Sequence, residues 1–419
     1  MSKVRGFRTK EGDVGSIFND IYVVDGRRTP FGKYTGTLST VSPTDLGIAA
    51  SRAVLKAAGV KPTDVDQTYV ANIGQASADS FFLPRHVALY SGVRQETPAL
   101  LVQRICGSGI ELIGGAAEQI GLGKSDLVLG CGTETMSRFP LVSFGARQGF
   151  QLGKPDYVDM LWAALDDTAA VPMGATADNL AKECQLKRDE VDSFAKRSQE
   201  RYFAAAERGV YADEICAMEN GVFEAEGLKA RKVRLSGADR LDRDENPRQT
   251  TMEKLGKLPF VFSKEGPTTA GSASGIVDGA ASVLIASQSY VTNNKIKPLG
   301  KVIGMASVGV RPDIMGIGPV PAIRGLLGQI GLKISEIDLF EINEAFGAQC
   351  LAVARTLGVD EALLNVNGGA IAIGHPLAAS GTRLVMTCLK ELRRRGKKYG
   401  VASACIGGGQ GIAMVVEAC

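Results

Sequence analysis

Short apolar runs alternate with segments of helical periodicity along most of the chain. Residues 21–24 form a short apolar strand, and residues 65–73 and 98–102 predict further strands. Ser42 supplies an N-cap, and Gly59 a C-terminal stop, for a helix predicted between them. This alternation of strands and helices predicts a layered α/β fold with mostly parallel pairing.

The same pattern returns towards the C-terminus, where residues 301–307 and 337–341 predict strands and a helix is predicted from Pro319 to Gly331. Between the two α/β regions, residues 135–260 contain more aromatic, methionine and charged residues, which favours an inserted loop domain. The predicted parts are a flexible N-terminal tail, residues 1–20; an N-terminal half, 21–134 and 261–290; the loop domain, 135–260; and a C-terminal half, 291–419.

An internal repeat relates the two α/β regions. Residues 105–113 and 377–385 share a hydrophobic pattern around a common Ser-Gly step, at Ser108 and Ser380, and each copy is followed by a helix and a strand. Two similar halves are predicted to pack these helices back to back, with the small residues 114–117 allowing a close contact. A chance match over nine residues is the alternative.

Composition and charge exclude several classes of function. The chain is 45% hydrophobic and 22% charged, as in soluble globular proteins, and its net charge of +3 gives no reason to expect nucleic acid binding. No apolar run approaches the length of a membrane span. Residues 1–20 mix both charges without an apolar core, which argues against a secretory signal and favours a frayed tail. The eight cysteines form no C-x-x-C pair, which predicts reduced thiols, a cytoplasmic location and no metal site.

Four side chains are candidates for chemistry. Cys106 lies at the predicted start of a helix, where unpaired N–H groups and the helix dipole favour the thiolate; a buried structural cysteine is the alternative. His375 follows a glycine-rich loop, Cys405 lies at the end of a predicted strand, and Asn343 lies at a strand-to-helix junction. Active groups in α/β sheets gather at such carboxyl ends of strands.

These residue types form a coherent set for carbon–carbon chemistry at a thioester. Cys106 is the predicted nucleophile, and His375 either takes its proton or donates to a thioester oxygen. Cys405 suits acid/base catalysis at the α-carbon, Asn343 suits holding a water or an oxygen, and the N–H groups of Cys106 and Gly407 suit an oxyanion hole. Simpler roles are open, because His375 or Asn343 can cap a helix and Cys405 can be a core thiol.

Four ordered motifs make the sequence resemble the thiolase family, the acetyl-CoA C-acyltransferases, from Ile21 to Glu417. The motifs span residues 102–109, 343–346, 367–376 and 405–411. The resemblance implies the same catalytic roles for Cys106, His375, Cys405 and Asn343. It also implies a duplicated thiolase fold of five α-β-α-β-α layers with an inserted loop domain. The substrates implied are CoA and acyl-CoA, without a tightly bound cofactor. The assembly implied is a homotetramer built as a dimer of dimers.

Further contacts are implied by the same resemblance. A serine matching Ser274 contacts the pantetheine arm in the family, and methionines matching Met173 and Met315 line the acyl pocket. Pro172 stands where many members have a histidine near CoA. Asn343 stands where members of β-oxidation multienzyme complexes often carry histidine, which favours a free-standing enzyme.

A basic cluster in the predicted loop domain contains Lys229, Arg231, Lys232 and Arg234. Arg231 and Arg234 are candidates for binding the phosphates of CoA. A solvated charged surface is an equally good interpretation of this charge pattern.

The function predicted from these observations is thiolytic cleavage of 3-oxoacyl-CoA by CoA to acyl-CoA and acetyl-CoA, or the reverse Claisen condensation. A ketosynthase-type condensing enzyme is one alternative, although such enzymes resemble a Cys-His-His pattern where this chain has Asn343 and Cys405. The other alternative is a protein of the same fold that binds acyl-CoA or lipid without turnover.

Overall fold

The computed structural model describes residues 3–165 and 171–419. Its strands are β1 (Val4–Arg8), β2 (Val14–Phe18), β3 (Ile21–Arg28), β4 (Gly32–Lys33), β5 (Gln67–Ala71), β6 (Ala99–Val102), β7 (Leu127–Thr135), β8 (Leu141–Val142), β9 (Val158–Asp159), β10 (Met218–Glu219), β11 (Gly221–Phe223), β12 (Arg231–Val233), β13 (Arg240–Leu241), β14 (Val277–Ser287), β15 (Gly300–Gly309), β16 (Leu339–Ile342), β17 (Tyr399–Ile406) and β18 (Gln410–Ala418). Its helices are α1 (Pro43–Ala58), α2 (Leu83–Tyr90), α3 (Ser108–Gly121), α4 (Met160–Leu165), α5 (Met173–Glu183), α6 (Arg188–Glu207), α7 (Met252–Gly256), α8 (Gln288–Asn293), α9 (Pro319–Ile330), α10 (Gly347–Leu357), α11 (Ala370–Ile373) and α12 (Leu377–Arg395).

The duplication predicted from the Ser-Gly repeat is confirmed by the sheet topology. In the first half, β6, β5 and β7 are parallel neighbours, followed by antiparallel β14 and β3. In the second half, a bridge at Leu364, β16 and β17 are parallel, followed by antiparallel β18 and β15. The two halves join into one sheet where Tyr22 of β3 pairs with Lys301 of β15.

The expectation of mostly parallel pairing was wrong, because the sheet is mixed. A hairpin with Cys405 opposite Gly411 joins β17 to β18, and β14 runs antiparallel to both of its long neighbours. Buried strands of either direction are continuous apolar runs in this chain, so the hydrophobic pattern does not distinguish them.

Helices lie in three layers around the two halves of the sheet. Helices α1 and α2 pack on the outer side of the first half, and α9 and α10 cover the second half. Helices α3 and α12 pack against each other between the halves and complete the expected α-β-α-β-α order. In the described ranges, no helix has both the length and the apolar character needed to cross a lipid bilayer.

The central helices meet at the Ser-Gly step itself, one turn earlier than expected. A Cβ at Gly381 would lie 2.5 Å from the backbone nitrogen of Ile110, and one at Gly109 would lie 2.8 Å from the Cα of Gly381. Gly114, which was predicted to make this contact, faces the side chain of Met305 instead. Glycine is therefore needed in both helices at the point where their backbones cross.

The prediction of a flexible tail over residues 1–20 was wrong for the part that the structure describes. Strands β1 and β2 form an antiparallel hairpin, and β2 extends the sheet by pairing with β15, for example Ile17 with Gly304. Phe18 is buried in the core between the halves. The charges of this segment hid its short alternating strands, whose pairing partner lies almost 300 residues away.

The segment predicted as a loop domain is anchored to β3 by a buried ion pair. Arg28 donates two hydrogen bonds to Asp244, at 2.6 and 2.9 Å, and a longer one to Glu214. The backbone N–H of Phe31 also donates to Asp244 at 2.8 Å. This segment contains α4 to α7 and the small hairpins of β8 with β9, β10 with β13 and β11 with β12. Its limits, 135 and 260, remain a prediction.

We expect Gly381→Ala to lower the free energy of unfolding by about 1–3 kcal/mol, because the added methyl group overpacks the helix crossing. Denaturant unfolding followed by circular dichroism measures this change. Gly328→Ala is the matched control, since Gly328 is exposed in α9 and a Cβ there meets no atom within 4 Å. The control is expected to gain up to about 1 kcal/mol from helix propensity. Similar effects of the two substitutions would contradict a close crossing at Gly381.

Candidate active site

Cys106 lies in a single turn of 3-10 helix, residues Ile105–Gly107, directly before α3. Ile105 has a φ of +42°, in the left-handed region that β-branched residues rarely adopt. Such a conformation costs about 1–3 kcal/mol and persists only where the surroundings impose it. The strained turn directs Cys106 into a cluster with Met136 and Leu377.

The Cys106 thiol is buried and protonated at neutral pH. Burial raises its pKa to about 11, although the N–H of Gly407 donates a hydrogen bond to the sulfur and its own N–H also favours the thiolate. The local N–H groups favour the thiolate, as expected, but they do not keep the thiol ionised in the free protein. Desolvation of the charged form outweighs the local N–H groups.

Cys405 is the penultimate residue of β17, within electrostatic range of Cys106. Burial raises its pKa, and the interaction with a negative charge on Cys106 raises it further. Its side chain packs with Met315 and Ala345, and Met173 and Phe346 border the same cluster. Both methionines expected in an acyl pocket therefore lie beside this thiol.

His375 and Asn343 form a hydrogen-bonded pair. The Nδ2 of Asn343 lies 3.2 Å from the Nε2 of His375, and the Oγ of Ser380 lies 2.5 Å from its Nδ1. Burial lowers the pKa of His375 to about 3, and the positive charge of Arg383 adds to the effect, so that the imidazole is neutral. Sequence reasoning missed Ser380 as a partner of this ring and treated it only as part of the repeat.

Asn343 is held by backbone pairing, with its N–H donating to the carbonyl of Ser403 in β17 at 2.9 Å. It does not cap a helix, because α10 begins only at Gly347. Its Oδ1 is buried and has no hydrogen-bond partner within residues 3–165 and 171–419. A buried amide oxygen in this state is suited to accept a hydrogen bond from a water or a substrate.

Ser274 lies beside the loops that carry this pair. Its N–H donates to the carbonyl of Ala345 at 3.0 Å, and the carbonyl of the next residue, Gly275, accepts the N–H of His375 at 3.0 Å. The side chain is partly exposed, as a contact with an incoming substrate requires. Pro172 directly precedes Met173 at the start of α5 and offers no side-chain donor there.

Arg231, a candidate for binding the phosphates of CoA, is paired with carboxylates in the structure, and its role as a CoA contact remains a prediction. Its guanidinium donates to Asp45 at 2.6 Å and to Asp79 at 2.7 Å, and both carboxylates are part-buried. His86, interpreted as structural, contacts the same Asp79 at 2.8 Å. Arg234 is exposed directly after β12, and its role as a CoA contact remains a prediction.

Glu134 is a further buried group near the nucleophile. Its carboxylate accepts the N–H of Gly74 at 3.0 Å and of Ile73 at 3.2 Å, and Ile73 packs beside Cys106. Burial raises its pKa to about 7. The signal in the sequence was an acidic residue inside a buried strand, outside every motif.

In residues 3–165 and 171–419, no group of three or more His, Cys, Asp or Glu side chains is arranged to hold a metal ion.

The geometry agrees with comparisons to known proteins. The family model described as "Thiolase, N-terminal domain" matches residues 21–289, and the model described as "Thiolase, C-terminal domain" matches residues 296–418. The chain belongs to the thiolase family. The bovine mitochondrial 3-ketoacyl-CoA thiolase is 46% identical over 96% of this chain and 99% of the relative. The acetyl-CoA acetyltransferase of Syntrophomonas wolfei is 40% identical over 95% of this chain and 99% of the relative.

Solved structures of thiolases share the fold. The human mitochondrial 3-ketoacyl-CoA thiolase in complex with CoA has a TM-score of 0.89 at 44% identity, covering 95% of this chain and 98% of that chain. An acetyl-CoA acetyltransferase of Bacillus anthracis has a TM-score of 0.88 at 35% identity, covering 96% and 100%. Proteins named 3-ketoacyl-CoA thiolase and proteins named acetyl-CoA acetyltransferase therefore both match this thiolase over nearly its full length.

We expect iodoacetamide to alkylate Cys106 of the free thiolase slowly at pH 7 and about tenfold faster for each unit of pH up to about pH 10. The reason is that a thiol whose pKa is raised to about 11 releases its proton only in alkaline solution. Peptide mass spectrometry measures the rate at Cys106 separately from exposed thiols such as Cys419. A constant rate between pH 6 and 8 would indicate a thiolate–imidazolium pair and contradict the neutral state.

Proposed function

We propose that this thiolase cleaves 3-oxoacyl-CoA with CoA to give acyl-CoA and acetyl-CoA, and catalyses the reverse Claisen condensation. The main support is the placement of a strained nucleophile turn at Cys106, a second buried thiol at Cys405 and a neutral His375–Asn343 pair within one region. The names of the relatives support the same chemistry, and a solved relative contains CoA.

In the first half-reaction, the sulfur of Cys106 attacks the 3-oxo carbon as its proton passes to the lone pair of His375. The bond between the α-carbon and the 3-oxo carbon breaks, and the electron pair moves into the acetyl-CoA enolate. A water held by Asn343 and the proton on His375 both lie near the developing oxyanion and stabilise it. The thiol of Cys405 then protonates the α-carbon, and acetyl-CoA leaves.

In the second half-reaction, the Cys405 thiolate takes the proton of a new CoA thiol, whose sulfur attacks the acyl group on Cys106. The N–H groups of Cys106 and Gly407 stabilise the oxyanion formed from this acyl-enzyme, a role supported by the hydrogen bonds that both make to the free sulfur. Cys106 leaves and recovers its proton from His375, which completes the cycle. CoA is a co-substrate, and no tightly bound cofactor takes part.

Substrate contacts follow from the same arrangement. Met173 and Met315 border the acyl chain, a role that their packing around Cys405 supports. Ser274 contacts the pantetheine arm, supported by its partial exposure beside the Asn343 and His375 loops. A ketosynthase-type reaction has less support, because Asn343 is the polar partner of the histidine ring.

Assembly and location are further parts of the proposal. The thiolase acts as a homotetramer, a dimer of dimers, in the cytoplasm. Scattered free thiols support a reducing compartment, whereas several mammalian relatives are named as mitochondrial. Light scattering measures the assembly, and localisation of the tagged chain measures the compartment.

We expect the purified protein to cleave acetoacetyl-CoA or a longer 3-oxoacyl-CoA when free CoA is added. Loss of the magnesium–enolate absorbance of the substrate measures this cleavage.

Cys106→Ser is expected to lose the acyl-enzyme, because a serine hydroxyl is far less ionised than a thiol. Mass spectrometry of the intact protein detects the adduct. Failure to cleave any chain length would favour binding without turnover, and a stable acyl adduct on the serine variant would count against the assignment of Cys106.

We expect Cys405→Ala to retain acetylation of Cys106 by acetyl-CoA but to lose condensation to acetoacetyl-CoA. The thiol of Cys405 handles the proton at the α-carbon, and alanine has no group for that step. Radiolabelled acetyl-CoA separates the two activities, because label on the protein reports acetylation and labelled acetoacetyl-CoA reports condensation. Condensation at the wild-type rate would remove Cys405 from the mechanism.

A further inference from the structure

Two buried serines at corresponding positions of the internal repeat take no direct part in the proposed chemistry. Ser108 is the first residue of α3, and Ser380 lies in the first turn of α12. Each directly precedes a glycine of the helix crossing, Gly109 or Gly381. The duplication therefore places one serine hydroxyl beside the nucleophile turn and the other beside the histidine loop.

Ser108 closes the turn around Cys106. Its Oγ accepts the N–H of Arg104 at 2.7 Å and donates to the carbonyl of Ile105 at 2.7 Å. These bonds link the residues before the cysteine to the first helical residue after it. They hold Ile105 in its left-handed conformation, which an unsupported β-branched residue would leave. The position of the Cys106 sulfur against the N–H of Gly407 depends on this turn.

Ser380 fixes the proton distribution of His375. Its Oγ donates its single proton to the carbonyl of Pro376 at 3.2 Å, so it meets the Nδ1 of His375, 2.5 Å away, as an acceptor. On the other side of the ring, the Nδ2 of Asn343 donates to Nε2. Both contacts select the tautomer that carries its proton on Nδ1 and keeps a lone pair on Nε2. In the free protein that lone pair accepts from Asn343, so in the proposed mechanism it takes the proton of Cys106 when the amide no longer donates to it.

We propose that Ser108 and Ser380 are a duplicated pair of positioning residues, one holding the nucleophile and the other orienting the base. The inference rests on the proposed thiolase function. Ser108 acts through the geometry of the Cys106 turn, whereas Ser380 acts through the tautomer of His375. Removing the two hydroxyls therefore has different kinetic consequences, even though both are buried serines of one repeat.

Two rates distinguish these roles. Alkylation of Cys106 by iodoacetamide at pH 9 requires the correct position of the sulfur but no base, because ionisation supplies the thiolate. Thiolysis of acetoacetyl-CoA requires both the sulfur and the base. We expect Ser380→Ala to lower kcat about tenfold to a hundredfold, with the KM for CoA and the alkylation rate unchanged. We expect Ser108→Ala to lower alkylation and kcat by similar factors.

Ser282→Ala is the matched control. Ser282 is a buried serine in β14 that donates to the carbonyl of Gly130 at 2.8 Å, away from the candidate active site. Its removal costs a buried hydrogen bond of the same kind and is expected to lower the melting temperature without changing either rate. Melting temperatures of all three variants separate loss of folding from loss of reactivity.

The assignment of Ser380 is overturned if its alanine variant keeps kcat within twofold of wild type, or loses alkylation and kcat together. The assignment of Ser108 is overturned if its alanine variant is alkylated at the wild-type rate. If the wild-type protein cleaves no 3-oxoacyl-CoA, the proposed function itself is overturned. This outcome is distinguished from the others because the protein is then inactive before any serine is replaced.

Discussion

The crossing of α3 and α12 is the contact on which the rest of the structure depends. Because Gly109 and Gly381 have no side chains, the two backbones approach so closely that a Cβ at either glycine would clash with the backbone of the other helix. The loops preceding these helices are thereby brought to the same region, although they are some 270 residues apart in sequence. One loop ends at Cys106 and the other at His375, so the position of the reactive groups follows from a backbone contact.

Burial then decides the charge state of the site. It raises the pKa of Cys106 and lowers that of His375, so both partners are neutral before substrate binds. A neutral thiol and a neutral imidazole avoid the cost of a desolvated ion pair in the free protein. In the proposed mechanism, ionisation of Cys106 is consequently coupled to its attack, when substrate offers a carbonyl oxygen to carry the negative charge. The Oδ1 of Asn343, which has no hydrogen-bond partner among the described residues, is one polar group that this dry environment leaves open.

Local signals in the sequence predicted much of the fold but not its long-range pairing. Helix α1 has the expected N-cap at Ser42 and the left-handed Gly59 at its end, because capping depends on neighbouring residues. The β1–β2 hairpin, the antiparallel strands and the Arg231 ion pairs depend on partners far along the chain. The motifs identified Cys106, His375, Asn343 and Cys405 as candidates. The protonation of Cys106 and the raised pKa of Glu134 follow from desolvation, which the spacing of residues does not reveal.

The duplicated scaffold supports chemistry that is divided unequally between its halves. Both halves have the same strand order and the same Ser-Gly step, yet the first contains Cys106, the proposed nucleophile, and the second contains His375, Asn343 and Cys405. A symmetric pair of loops meeting at a helix crossing would place two identical groups together, which is of little use for moving a proton between unlike partners. In the proposed mechanism, the different residues that precede the two serines, Cys106 and His375, provide a proton donor and a proton acceptor. The glycines and serines that set the geometry are retained in both copies, whereas the reactive residues differ.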